Sequence, residues 1–257
     1  MTVLLDQKNW GHIAVTGEDR TRFLQGLVTS DVKSLKPGEW LRTMLLTHKA
    51  RVVSIFEVHA FVDHYLVSCS PDLTDKTFET LDRHIVMDDV ELEHRELEMH
   101  TVWQCPEDVW TSAPLLLAAP SASSEAEVER MRIEAGMPRY GADVSEEHFP
   151  FESLLVRLID YQKGCFAGQE PVSRVYHRGG GGSKRLMGLR VAGDALLEVG
   201  AVLASSEKPK GAIVSSVTHS ADFGNIALAH VHKSAWEEGS IVSLGDHKAE
   251  VASLPFV

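Results

Sequence analysis

At 257 residues, with 44% hydrophobic and 24% charged side chains, the chain is long enough to bury its own core, which excludes a disordered polymer or a disulfide-dependent mini-domain. A formal charge of −12 argues against general nucleic-acid binding, which draws on Lys and Arg to displace counterions from phosphates. Three widely spaced cysteines, Cys69, Cys105 and Cys165, form neither a disulfide framework nor a zinc-ligand spacing and point to a reducing cytosol.

The N-terminus carries no basic start followed by an apolar run, and no stretch approaches the roughly 18 apolar residues of a membrane span. A cytoplasmic location is expected. The first helix follows Thr16-Gly17-Glu18-Asp19, where Thr16 and Asp19 have capping-box spacing and Phe23, Leu24, Leu27 and Val28 share a face. Strands are predicted over 40–47, 52–60 and 65–68. Ser70-Pro71 then starts a second helix with Phe78, Leu81 and Ile85 three and four apart. An exposed strand is expected within 88–100 and a short buried one over 115–118, before the loop 119–124. Residues 125–135 read as a helix that stops at Gly136, with Pro138 just beyond. Phe151, Leu154, Leu155, Leu158 and Ile159 predict a further helix.

Gly179-Gly180-Gly181-Gly182 breaks regular structure, because four glycines have no side chains to pack and maximal backbone entropy. It is only a weak echo of a phosphate cradle, since the Walker spacing is absent. Strand-like segments follow at 186–191, 212–217, 225–231, 241–244 and 249–254, the spacing of a small β-barrel or sandwich. His230 and His232 share a strand face but lack a third ligand at suitable spacing, so no metal site is assigned.

The densest chemistry lies in Lys163-Gly164-Cys165-Phe166-Ala167-Gly168-Gln169-Glu170, followed by Arg174. Gly164 and Gly168 permit sharp turns, and Lys163 beside Cys165 would favour the thiolate of an exposed thiol. On residue chemistry alone Cys165 reads rather as a small buried hydrophobe, as most free cysteines do. The segment resembles the K-G-C-(F/Y)-x-G-Q-E signature of the YgfZ group of folate-binding proteins, relatives of the glycine-cleavage aminomethyltransferase. The stretches 15–19, 23–26 and 29–32 are similar to the opening shared by both groups. Arg132-Ile133-Glu134-Ala135-Gly136-Met137-Pro138, with Gly141 and Asp143, is similar to their central R-x-E-A-G-x-P motif.

The resemblance implies an α+β, aminomethyltransferase-like folate-binding fold with a C-terminal β-barrel. Its units would be an N-terminal α+β unit at 1–115, a central ferredoxin-like unit at 116–178 intertwined with it, and the barrel at 184–257. It implies tetrahydrofolate or a derivative as cofactor, with Glu134 on the pterin and Arg174 on the tail carboxylates. Cys165 would be the functional thiol, positioned by Lys163, Gly164 and Gly168. Iron–sulfur client or assembly proteins would be its partners, without direct nucleic-acid or membrane contact, and tRNA modification would be reached indirectly. The paired carboxylates of classical aminomethyltransferases fall on Ser54 and Ile55, neither of which can act as a base, and Glu57 is two residues past Ile55. The implied function is a folate-binding factor for assembly or repair of iron–sulfur enzymes, the alternative a folate-dependent one-carbon transferase.

Overall fold

The computed structural model describes residues 3–6, 9–97, 99–103, 114–115, 123–177, 182–193 and 197–256. Cys105, the expected strand residues 116–118 and Gly179 to Gly181 lie outside them. The elements, in chain order, are β1 (Val3–Asp6), β2 (Gly11–Thr16), α1 (Arg20–Leu27), β3 (Trp40–Leu46), β4 (Val52–Ala60), β5 (Tyr65–Cys69), α2 (Thr74–Asp82) and β6 (Glu91–Arg95). Then come β7 (His100–Trp103), β8 (Pro114–Leu115), α3 (Glu125–Glu134), α4 (Gln169–His177), β9 (Lys184–Val191), β10 (Val202–Leu203), β11 (Ala212–Ser220), β12 (Gly224–His232), β13 (Ile241–Leu244) and β14 (His247–Ala252).

The strands form antiparallel sheets in the orders β3-β4-β5-β2-β6, β1-β7-β8 and β10-β11-β12-β9-β14-β13. The last curls until Ala204 and Ser243 exchange backbone hydrogen bonds of 2.8 and 2.9 Å across its two ends, which nearly closes a barrel. Its interior is filled by Leu189, Leu203, Ala227, Val231 and Val251. The fold is thus α+β with a C-terminal barrel.

Alternation along β4 places the functional face. Phe56 and Val58 pack with Phe23 and Leu24 of α1 and Leu81 of α2, and the Ser54 hydroxyl lies 2.6 Å from that of Thr77. Side chains two apart share a face, so Ile55 and Glu57 turn to the opposite side of the sheet. A bulge at Val53 sets Leu45 opposite Ser54 but Leu46 opposite Val52, and so sends Val52 to the second face with Met44 and Leu46.

Two local expectations are corrected. Thr16 and Asp19 form no capping box: Asp19 leaves α1 without a side-chain cap and accepts instead from the amide of Asp89 at 3.0 Å. Residues 151–159 are not one helix but two 3-10 turns, Pro150–Glu152 and Leu155–Leu158, with Leu154 between them at φ 60°. Tertiary bonds displace the helical ladder there. Glu152 turns back to the amide of Phe149, and the hydroxyls of Thr29 and Ser30 donate to the carbonyl of Leu158 at 2.7 and 2.8 Å. Ser70-Pro71 also opens on a 3-10 turn before α2 begins.

The barrel docks through the loop after α3. His148 stacks on His230 of β12 with ring centroids 4.5 Å apart, and His230 Nε2 lies 2.7 Å from the carbonyl of Asp143. Burial, then His230, Lys184 and Arg51, push His148 from 6.5 down to about 4; burial likewise lowers His230. The unfolded chain therefore takes up these protons first. The neutral pair contributes fully above about pH 6.5, and its contribution is lost as pH falls toward 4. Urea midpoints measured across that window should fall for the natural protein and fall less steeply for His148→Gln.

Candidate functional site

A cavity of about 230 Å³ opens between the second face of β3 and β4 and the helix α3, with the loop 137–140 as its rim. Strand register brings its polar wall together, because Arg42 of β3 is the direct cross-strand partner of Glu57 of β4. Arg42 Nη2 donates to Glu57 Oε1 at 2.7 Å, and both side chains are almost fully buried. Glu57 Oε2 accepts no hydrogen bond, and the imidazole Nε2 of His59 stands 3.5 Å away. Burial alone would raise the Glu57 pKa, but His59 and Arg42 together hold it below the usual carboxylate range, so it is ionised at neutral pH.

The opposite wall comes from α3, which a capping box between Ser124 and Glu127 starts. Arg132 forks onto both oxygens of Glu129, at 2.8 and 2.7 Å, and reaches Asp143 Oδ2 at 2.7 Å and Ser216 Oγ at 2.8 Å. Both Glu129 oxygens are therefore occupied. The R-x-E motif divides between two sides of the helix. Arg132 lines the cavity, whereas the Glu134 carboxylate pairs with Arg130 at 2.7 Å and is absent from the cavity wall. The Glu134 carbonyl accepts from Phe256 at the C-terminal tail, beside the cluster of Ile133, Leu186 and Leu228.

The Cys165 loop is clamped on both sides. Lys163 Nζ donates to the carbonyls of Gln25, at 2.6 Å, and Val28, so it caps the C-terminal end of α1. Ala167 N donates to Gly26, and Gln25 Nε2 returns a bond to the Lys163 carbonyl. Burial lowers Lys163 to about 8. The ammonium, two residues before the thiol, is thus spent on the carbonyls of α1. Phe166 points into the core with Leu155 and Val172, and Cys165 points outward and is exposed, which removes the buried-hydrophobe reading. Gly164 and Gly168 hold φ of 97° and 81°. Cys69, by contrast, is buried and pushed by burial up to about 11.

Arg174 lies on the exposed side of α4, paired with Glu170 at 2.6 Å, and lines none of the cavities described. An open groove of about 750 Å³ instead shares Arg42 with the cavity and carries Trp40, Arg157, Tyr161 and Tyr176. Tyr161 and Tyr176 stack with centroids 4.2 Å apart. Among the described residues no group of three or more His, Cys, Asp or Glu could hold a metal ion, and no helix is long and apolar enough to cross a membrane. Sequence reasoning missed Arg42, Glu129 and Arg132 as wall residues and set Glu57 aside. The available signal was a pair of opposite charges, Arg42 and Glu57, on two neighbouring strands with no other Lys, Arg, Asp or Glu.

No protein-family model matches the chain. A chloroplastic protein of Arabidopsis thaliana, classed by name as a transferase, is 24% identical over 99% of this chain and 71% of its own length. The tRNA-modifying protein YgfZ of Vibrio vulnificus is 26% identical over 68% of this chain and 66% of its own. In structure the chain matches the glycine cleavage system aminomethyltransferase T of Bartonella henselae with a TM-score of 0.85, at 19% identity, over 100% of this chain and 86% of that one. The chain is similar in sequence to the YgfZ proteins and has the fold of the aminomethyltransferases. Within this aminomethyltransferase-like fold, the cavity behind β4 and the clamped Cys165 loop are separate features: Cys165 is not among the residues lining the cavity or its neighbouring groove.

Proposed function

We propose that this YgfZ-type chain is a tetrahydrofolate-binding factor that supports assembly or repair of iron–sulfur enzymes in the cytoplasm, and through them tRNA modification. The observation that supports it most is the cavity itself: it lies behind β4 of an aminomethyltransferase fold, yet Ser54 is turned away to Thr77 and Ile55 lines the wall. A folate ring fits such a space, while a base at the paired positions is missing. The neighbouring groove, with Arg157 and its aromatic rings, suits the anionic tail better than the exposed Arg174 does. Cys165, presented by a clamped loop, is suited to transient thiol–disulfide exchange with a client. The alternative, a folate-dependent one-carbon transferase, draws on Glu57 as a carboxylate in the wall.

The test is calorimetric titration with tetrahydrofolate under reducing conditions, followed by analysis of the bound folate, together with Cys165→Ala in a deletion strain. Saturable binding, recovery of unchanged tetrahydrofolate and weakened iron–sulfur enzyme activity with a folded variant are expected. Conversion to a methylene or methyl form would favour the transferase, and full complementation by Cys165→Ala would remove the thiol from the function.

A further inference from the structure

Beyond the stacked pair of Tyr161 and Tyr176 lies a second open groove, of about 560 Å³, which shares these two rings and Arg157 with the groove next to the cavity. Its other side belongs to the barrel, where Lys184 and Arg185 open β9 and Trp236 follows β12. The aromatic walls are fixed before anything binds. Trp236 Nε1 donates to the carbonyl of Val231 at 2.8 Å, and the Arg185 guanidinium lies over the indole, 4.6 Å from the ring centroid. Phe151 and Leu154 add apolar surface, and Tyr176 is left 55% exposed even though it is stacked on Tyr161. The lining holds three cations, Arg157, Lys184 and Arg185, and no carboxylate, in a chain of formal charge −12. Glu152, beneath Gly182 at the edge, is buried and bonded to the amide of Phe149.

We infer that this groove docks an extended acidic segment of a partner protein, in which an aromatic or large apolar side chain stands between carboxylates. Trp, Tyr and Arg are the residues that concentrate binding energy at protein interfaces, and rings already held in place lose little freedom on binding. The segment's apolar side chain packs between Trp236 and the tyrosine pair, and its carboxylates meet Arg157, Lys184 and the fork of Arg185. Single-stranded RNA also offers rings and anions. It draws its affinity from phosphates along its whole length, however, and beyond these three cations it meets the field of an acidic chain. Docking here goes beyond the folate reading and does not depend on it. It also gives the thiol a neighbour. Tyr161 precedes Cys165 by four residues, a reach of at most about 14 Å, so a docked segment is held near the exposed thiol.

Fluorescence anisotropy with short labelled peptides tests it. The probes carry tryptophan or leucine flanked by aspartates; the comparisons are the same peptides with asparagine for aspartate, and a labelled oligouridylate of equal length. The natural protein should bind the acidic peptides at least about 10-fold more tightly than either comparison. Arg185→Glu should weaken acidic-peptide binding about 10-fold or more, and Tyr176→Ala by a similar factor through the lost ring. Lys210→Glu, the same charge change at an exposed site outside the groove, should stay within about twofold. Urea midpoints check that each variant folds, and the exposed Tyr176 carries the test alone if Arg185→Glu does not. Equal binding of the asparagine peptides, an equal loss in Lys210→Glu, no loss in either groove variant, or no binding of any acidic peptide to the folded natural protein overturns the assignment. Tighter oligouridylate binding that Arg185→Glu and Tyr176→Ala abolish overturns it in favour of RNA. Displacement of the peptide by saturating tetrahydrofolate overturns it in favour of the folate tail.

Discussion

Asp143→Ala is expected to cost about 3–5 kcal/mol of stability, the scale for removing one member of a buried ion pair. Asp143 is fully buried and is the common acceptor for four donors. Oδ2 takes Arg132 Nη1 at 2.7 Å and the amide of Arg139 at 2.9 Å; Oδ1 takes the hydroxyls of Ser215 and Ser216. These donors come from α3, from the loop that closes the cavity and from β11 of the barrel. Alanine leaves a buried guanidinium, an amide and the Ser216 hydroxyl short of an acceptor at once, while Ser215 Oγ keeps the carbonyl of Leu228 at 3.2 Å. Glu129 still neutralises Arg132, which is why the loss is not larger. Asn at 143 can face its carbonyl to Arg132 and Arg139 while the serine hydroxyls rotate to accept, so Asp143→Asn should lose less. Urea denaturation checks both, with the midpoint moving and the slope kept. A shift for Asp143→Ala worth less than about 1 kcal/mol would mean that water or a rearranged Arg132 replaces the acceptor.

Local signals were enough for most elements. The strands 40–46 and 52–60, the helix 125–134 with its stop at Gly136, and the barrel strands other than β10 follow from periodicity and turn residues alone. The two 3-10 turns at 150–158 did not, because the Thr29 and Ser30 hydroxyls that replace their ladder lie more than a hundred residues away. Of the site, the thiol loop was legible as a motif, but its clamp on α1 required knowing where α1 ends in space. Glu57 was harder. Counting by twos from Ile55 puts it on the same face, and only the hairpin register, shifted by the bulge at Val53, sets Arg42 opposite it. Glu134 and Arg132 stand two apart on a helix, so a shared motif does not give them a shared direction; Arg132 lines the cavity, and the Glu134 carboxylate turns to Arg130.

Gly168→Ala and Gly164→Ala form the second test, because the two glycines flank Cys165 with similar backbone angles but different surroundings. Both have positive φ, so any side chain at either costs about 1–2 kcal/mol. At 164 nothing lies within 4 Å of an added Cβ, and the loss should stop there. At 168 that Cβ would stand 2.5 Å from the carbonyl of Thr47 and 3.1 Å from Leu46 Cβ. The turn cannot readily yield, since Thr47 N bonds Arg51 O and Ala50 N bonds Thr47 O, with Ala50 itself at φ 59°. Overpacking adds about 1–3 kcal/mol, for a total near 2–5 kcal/mol. Gly168→Ala should also free the loop between its anchors on α1 and on this turn, so the rate at which a thiol reagent labels Cys165 should change, while Gly164→Ala leaves it near the natural value. Equal losses and equal labelling rates at the two positions would mean that the loop is held through Lys163 and Ala167 alone, with the β3–β4 turn a bystander.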